Sequence, residues 1–203
     1  MVVAETNTLL AARACHAGDM TTVTRRTTDE LDTVLADVRA APAAAGEVQL
    51  IVARPDVTER AALDAADLDP ALGLVGDNWF VRGSSQPDGL ANPEAQLTIM
   101  NARAAAAVAG ERGNWALAGD QIYADLDISI DNLPAGTRLR VGTAVVEISA
   151  KPHTGCAKFT QRFGLDAMRW VNSDEGKRLR LRGVNCRVLE AGRVGLGDTI
   201  EKL

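Results

Sequence analysis

Apolar and polar positions alternate with a period of two over several short stretches of this chain. Val48, Leu50 and Val52 fall on one face of a strand, and Arg54-Pro55 ends it. Gln96–Met100 reads as another short strand. From Ile122 the text turns to β. Leu126, Ile128 and Ile130 alternate with Asp125, Asp127, Ser129 and Asp131, which puts the polar set on a solvated strand face. Leu133-Pro134-Ala135-Gly136 is a turn. Arg138–Val141, Gly142-Thr143 and Ala144–Ile148 predict a hairpin with a two-residue connection. Leu179–Leu189 is a second long strand region, turned by Ala191-Gly192, with Val194–Ile200 as the return. Residues 58–68 fit a helix and an irregular strand equally.

Helical spacing is rarer. Thr27-x-x-Glu30 forms a capping box ahead of Leu31, Val34, Leu35 and Val38. This predicts a short amphipathic helix over 28–40, stopped near Ala41-Pro42. Its apolar face suits a partner or a second subunit, and more simply its own domain. Asn101 caps a helix through the alanine run 102–109, which Gly110 ends. Gly73–Gly89 is a long polar, glycine-rich loop, a length usually kept for function. The pattern divides the chain into an extension, 1–46, and a main domain, 47–203. The extension is read as partly disordered, with one helix.

Composition narrows the chemistry. The chain has 203 residues, a net charge of −5 and no long apolar run, so neither a membrane span nor a general nucleic-acid binder is expected. Residues 1–20 carry Glu5 first, and Arg13 interrupts the apolar run, so no secretory signal is read there. A cytoplasmic protein with free thiols is the expectation. The 3 cysteines and 2 histidines cannot build a disulfide framework, a four-cysteine zinc site or a His-rich centre. The aspartates at 125, 127 and 131 lack the glycine and closing glutamate of a calcium loop. Gly195-Leu196-Gly197 lacks the third glycine of a dinucleotide site.

One segment carries chemistry. In Lys151-Pro152-His153-Thr154-Gly155-Cys156-Ala157-Lys158-Phe159, Pro152 and Gly155 fix a loop. Phe159 and Phe163 share a face of a helix that begins after Cys156. Backbone N–H groups at that helix start, with Lys158 nearby, favour thiolate over thiol. Lys151 and Arg162 add positive potential, and His153 is placed to exchange a proton. Lone cysteines are more often inert small hydrophobes; the loop, the glycine and the basic neighbours set this one apart. Cys186 shares strand parity with Val184 and Val188 and points into a core. Cys15 lies in the tail.

The run Gly119-Asp120-Gln121, Leu133–Leu139, Gly155–Phe159, Arg182-Gly183-Val184-Asn185 and Gly195–Asp198 resembles the MOSC family, the molybdenum cofactor sulfurase C-terminal domain. Gly73–Asp77 matches the family's early glycine–aspartate loop. The likeness covers roughly residues 47–203, in order. It implies a β-rich α+β fold, a MOSC-type β-barrel with a few helices. It also implies binding of the molybdopterin-type molybdenum cofactor. Cys156 matches the cysteine that in relatives ligates molybdenum or carries sulfur.

Three functions follow from the resemblance. The first is a molybdenum-dependent oxidoreductase of N-hydroxylated or N-oxide small molecules. Cys156 then ligates the metal, and an external protein donates electrons, because the chain has neither a ferredoxin-like cysteine cluster nor a flavin fingerprint. The second is a sulfur carrier that takes a persulfide on Cys156 from a cysteine desulfurase. The third is a non-catalytic cofactor-binding module. Cofactor contacts are expected from Lys158, Arg182, Asn185, Arg82 and Arg162, since the cofactor is anionic. Asp77 and Asp120 read as turn stabilisers, Trp79 and Phe80 as loop anchors or pocket lining, and Trp115 and Trp170 as packing. The oligomeric state, a homo-oligomer included, stays open.

Overall fold

The computed structural model describes residues 13–14, 23–84 and 88–203. In chain order its strands are β1 (Arg13–Ala14), β2 (Ala45–Ala53), β3 (Ala61–Leu63), β4 (Ala65–Asp69), β5 (Gly73–Leu74) and β6 (Leu97–Asn101). They continue with β7 (Ile122–Ala124), β8 (Arg138–Val141), β9 (Ala144–Ile148), β10 (Val184–Glu190), β11 (Gly192–Gly195) and β12 (Thr199–Lys202). The helices are α1 (Thr28–Asp32), α2 (Leu35–Arg39), α3 (Trp79–Arg82), α4 (Ala102–Ala109), α5 (Ala157–Asn172) and α6 (Asp174–Arg178).

Strands β2-β12-β8-β9-β10-β6-β7 pair in that order, and β7 pairs back onto β2, closing a barrel. Only β6 and β7 run parallel within it. Closure leaves this ring without unpaired edges. β3 and then β1 extend from β2 outside the ring, and β11-β4-β5 form a separate small sheet. The β-rich barrel with a few helices is therefore the fold.

Alternation fills the barrel. Leu97, Ile99, Ile122, Val146, Ile148 and Ile200 are at most 1% exposed and meet at its centre. Burying each such side chain stabilises by roughly 1.5–3 kcal/mol. Outward-facing Val52, Met100 and Tyr123 pack under a helical layer with Leu31, Val38, Phe159, Phe163 and Trp170. Sequence separation matters little here, because the layer is defined by which strand face is left uncovered.

Several elements differ from the pattern-based expectations. Val48 faces the barrel, whereas Leu50 and Val52 face the helices. The register between β2 and β7 shifts between Val48 and Leu50, so an extra residue switches the parity. Strand β7 stops at Ala124, and the run to Asp131 is turns and irregular chain. There Asp125 pairs with Arg103, and Asp127 accepts from the Ser129 N–H at 2.9 Å. Strand β10 begins only at Val184, because α6 and a turn through Arg180 (φ 52°) occupy the stretch before it. Residues 28–39 form two short helices rather than one, and Leu31 and Val38 are buried against the same molecule. The capping box at Thr27 and Glu30 forms, as does the Asn101 cap. Residues 61–69 are strands, interrupted at Asp64. The tail reading of residues 1–20, Cys15 included, otherwise lies outside the described residues; Arg13 and Ala14 pair with β3.

Candidate functional site

One rim of the barrel collects the polar residues. The end of β2 supplies Arg54, and the chain entering β7 supplies Gly119 and Asp120. The chain leaving β9 carries His153 and Cys156, and the turn into β10 carries Arg182. Adjacent strands bring these together because β2 is antiparallel to β7 and β9 to β10.

Two ion pairs to fully buried carboxylates fix two of the arginines. Arg54 donates through Nε and Nη2 to both carboxylate oxygens of Asp77, at 2.8 and 3.0 Å, and through Nη1 to the Gly119 carbonyl at 3.0 Å. Asp77 also accepts from the Trp79 N–H at 2.9 Å, so its turn role and its role as an arginine anchor coincide. Arg182 donates to Asp120 Oδ2 and to the Ala118 carbonyl, and its guanidinium lies 5.2 Å from the Phe159 ring centroid. Such a ring face attracts the cation. Tyr123, the chain's single tyrosine, secures the same turn from the core. Its hydroxyl donates to the Trp115 carbonyl at 2.7 Å and accepts from the Asp120 N–H at 3.2 Å.

His153 sits behind this layer. Its Nδ1 lies 3.4 Å from Asp120 Oδ1, and neither atom has a hydrogen-bond partner. Burial and the nearby Arg182 push the imidazole down to about 3, against the pull of Asp120. It is thus neutral near pH 7. Gly183 makes the approach feasible. With φ of 101°, a Cβ there would stand 3.0 Å from Asp120 Oδ1 and 3.2 Å from His153 Nδ1.

Cys156 is exposed and forms the N-cap of α5, as its loop position predicts. The loop before it is held at two points. Asn185 donates to the carbonyls of Lys151 and Pro152 at 3.1 and 3.2 Å, and Asn172 accepts from the Gly155 N–H at 3.1 Å. Phe159 and Phe163 meet in a tilted ring contact with centroids 4.8 Å apart and bury the helix face. Gly164 (φ 91°) then kinks α5.

Cys156 shares an open cleft of about 180 Å³ with Arg54, Arg60, Arg82, Lys158, Arg162 and Arg182. Asp56 is the acidic side chain on its lining. Arg60 is pushed below its ordinary range by burial and by Arg162 and Arg54. The Nε atoms of Arg60 and Arg182 are buried without partners. Like charges crowded with unspent donors form a receptor for an anion.

Of the residues singled out from the sequence, Cys156, Lys158, Arg82, Arg162 and Arg182 line this cleft. Asn185 is occupied by the 151–152 carbonyls, and His153 packs against Asp120. In that place His153 neighbours the buried carboxylate of Asp120. Arg54, Arg60 and Asn78 line the cleft too, and the sequence reading missed them. In the sequence Arg54 marks only the end of a strand. Its one available signal was the arginine directly after an apolar strand. Cys186 is fully buried in the barrel, where burial pushes its thiol up.

A family model for the MOSC domain matches residues 86–201. The chain belongs to the MOSC domain family. Cys156, Lys158, Arg162 and Arg182 lie within the matched span, and Arg54, Arg60 and Arg82 precede it. The fold is similar to that of the YUAD protein from Bacillus subtilis, 16% identical, with a TM-score of 0.54 over 78% of this chain and 95% of that one. YiiM from Escherichia coli is 19% identical, with a TM-score of 0.50 over 77% of this chain and 69% of that one. YiiM from Geobacillus stearothermophilus is 14% identical, with a TM-score of 0.50 over 79% and 73%. At these identities the likeness is one of fold. No curated protein matches the chain. No helix among the described residues is long and apolar enough to cross a membrane.

Proposed function

We propose that this MOSC protein binds a molybdopterin-type molybdenum cofactor in the cationic cleft and reduces N-hydroxylated or N-oxide compounds. The observation that carries the reading is the exposed thiol of Cys156 in one cleft with five arginines and Lys158. The donor set suits the group. The partnerless Nε atoms of Arg60 and Arg182 call for an anionic oxygen, and a cysteine sulfur suits a soft metal. Among the described residues no cluster of three or more His, Cys, Asp or Glu side chains is gathered for a metal. Cys156 alone would then anchor a metal whose remaining ligands arrive with the pterin.

When bound, the cofactor supplies two-electron redox chemistry at the metal. The protein's part is binding and orientation. Arg60, Arg162 and Lys158 hold the anionic groups, while Arg54 and Arg182 are kept in place by Asp77 and Asp120. Reduction of an N–OH group consumes two electrons and two protons and releases water. A separate electron-donor protein supplies the electrons, and the protein acts in the cytoplasm. Metal and pterin analysis of protein made in a cofactor-competent host tests the reading. Molybdenum and pterin near one per chain, with metal lost in Cys156→Ala, supports it. Metal-free protein, with wild type and variant alike, overturns it.

The exposure of Cys156 also suits a sulfur carrier. Its thiolate would attack the outer sulfur of a desulfurase persulfide, and the desulfurase thiol would leave. Mass spectrometry after incubation with a cysteine desulfurase and cysteine should then show one added sulfur on Cys156. Sulfur on Cys186, or on neither, counts against it.

A further inference from the structure

A second and larger cavity, about 400 Å³, adjoins the cleft through Arg82. Its lining includes Trp79, Arg82, Asn92, Ala95 and Lys151. Among the described residues no acidic side chain lines it. The volume falls within the roughly 300–1,000 Å³ usual for small-molecule sites.

The floor is rigid. Trp79 is 5% exposed, and its indole Nε1 donates to the Asn92 carbonyl at 3.3 Å. The Asn92 side chain in turn accepts from the Glu94 N–H at 2.9 Å. Asp77 holds the Trp79 N–H, so the same carboxylate that anchors Arg54 in the cleft sets the indole. Lys151 is exposed, and its backbone is fixed by Asn185. An aromatic ring and two cations, one of them shared with the cleft, favour a flat ligand bearing negative charge.

We infer that this cavity is the substrate site, and that it selects planar aromatic N-hydroxylated compounds carrying a carboxylate or similar anionic group. The inference rests on the proposed reductase reading for its reaction, but the binding preference can be read independently. Lys151 is the specificity residue; Arg82 lies between the substrate and the cofactor cleft and serves both.

The test compares benzamidoxime with 4-carboxybenzamidoxime on the full chain. Calorimetric titrations use cofactor-free and cofactor-loaded protein, and turnover uses loaded protein with reduced methyl viologen. The carboxylated compound should bind at least tenfold more tightly to both forms. The preference should fall to about twofold in Lys151→Gln and return in Lys151→Arg. Lys151 is exposed, so these variants keep the fold. Equal binding of the two compounds overturns the inference, as does a preference indifferent to Lys151. Loss of binding on cofactor loading also overturns it, because the cavity then belongs to the cofactor. Selective binding without any turnover upholds the site and removes the reductase reading instead.

Discussion

Arg182 and Asp120 form an ion pair whose side chains are 7% and 0% exposed, although 62 residues separate them. A buried pair of this kind is costly to break from one side, since the remaining charge is left without compensation. Asp120→Ala should therefore destabilise the protein by about 3–5 kcal/mol. Urea unfolding measures this. Arg182→Met in the same background should recover part of the loss, and strict additivity of the two changes would show that the pair is not coupled.

The neutral His153 imposes a pH dependence. Its folded pKa of about 3 lies below the ordinary 6.5, so the unfolded chain takes up the proton first as pH falls. Stability from this residue is complete above pH 6.5 and is lost on descending from 6.5 towards 3, by up to about 1.4 kcal/mol per pH unit. Between pH 6.5 and 5 the wild type should lose roughly 2 kcal/mol more than His153→Gln, which lacks the titrating group. Matching slopes for the two proteins would refute the assignment.

Arg60 crowds other cations and, among the described residues, donates only locally, to the Val57 and Glu59 carbonyls. Pyrophosphate should raise the Tm of the cofactor-free protein at low salt, and less so as salt screens the cleft. Arg60→Gln should weaken pyrophosphate binding by about tenfold or more, the equivalent of one charge-assisted hydrogen bond. The same substitution should leave the ligand-free stability within about 1 kcal/mol, because repulsion is removed along with the donor. A Tm shift as large in the variant as in the wild type would exclude Arg60 from the anion site.

Cys156 and Cys186 should react differently. Cys156 is exposed, while Cys186 is 0% exposed at the barrel centre, where burial holds it as a thiol. Iodoacetamide followed by peptide mass spectrometry should label Cys156 in native protein and Cys186 only in denaturant. Rapid native labelling of Cys186 would mean that the barrel opens on the labelling timescale.

Local signals suffice where a short stretch determines its own geometry. The Gly142-Thr143 hairpin, the Thr27–Glu30 capping box, the Asn101 cap and the start of α5 after Cys156 all form as the sequence predicts. Local signals do not suffice where a distant partner decides. Leu50 looks inward by alternation with Val48, yet the bulge against β7 turns it to the helices. Asp125, Asp127 and Asp131 look like one strand face, but Arg103, the Ser129 N–H and Arg178 each take one of them.

The sequence by itself determined the family, the barrel class and the single cysteine at an accessible helix start. Periodicity, turn chemistry and ordered short motifs are properties of neighbouring residues and are already present in the unfolded chain. Only the tertiary structure decided that Arg54 and Arg60 join Arg162 and Arg182 around that cysteine, and that His153 stands neutral behind Asp120. Burial and charge crowding depend on which strands the closing barrel brings to one rim, and no local pattern encodes that meeting.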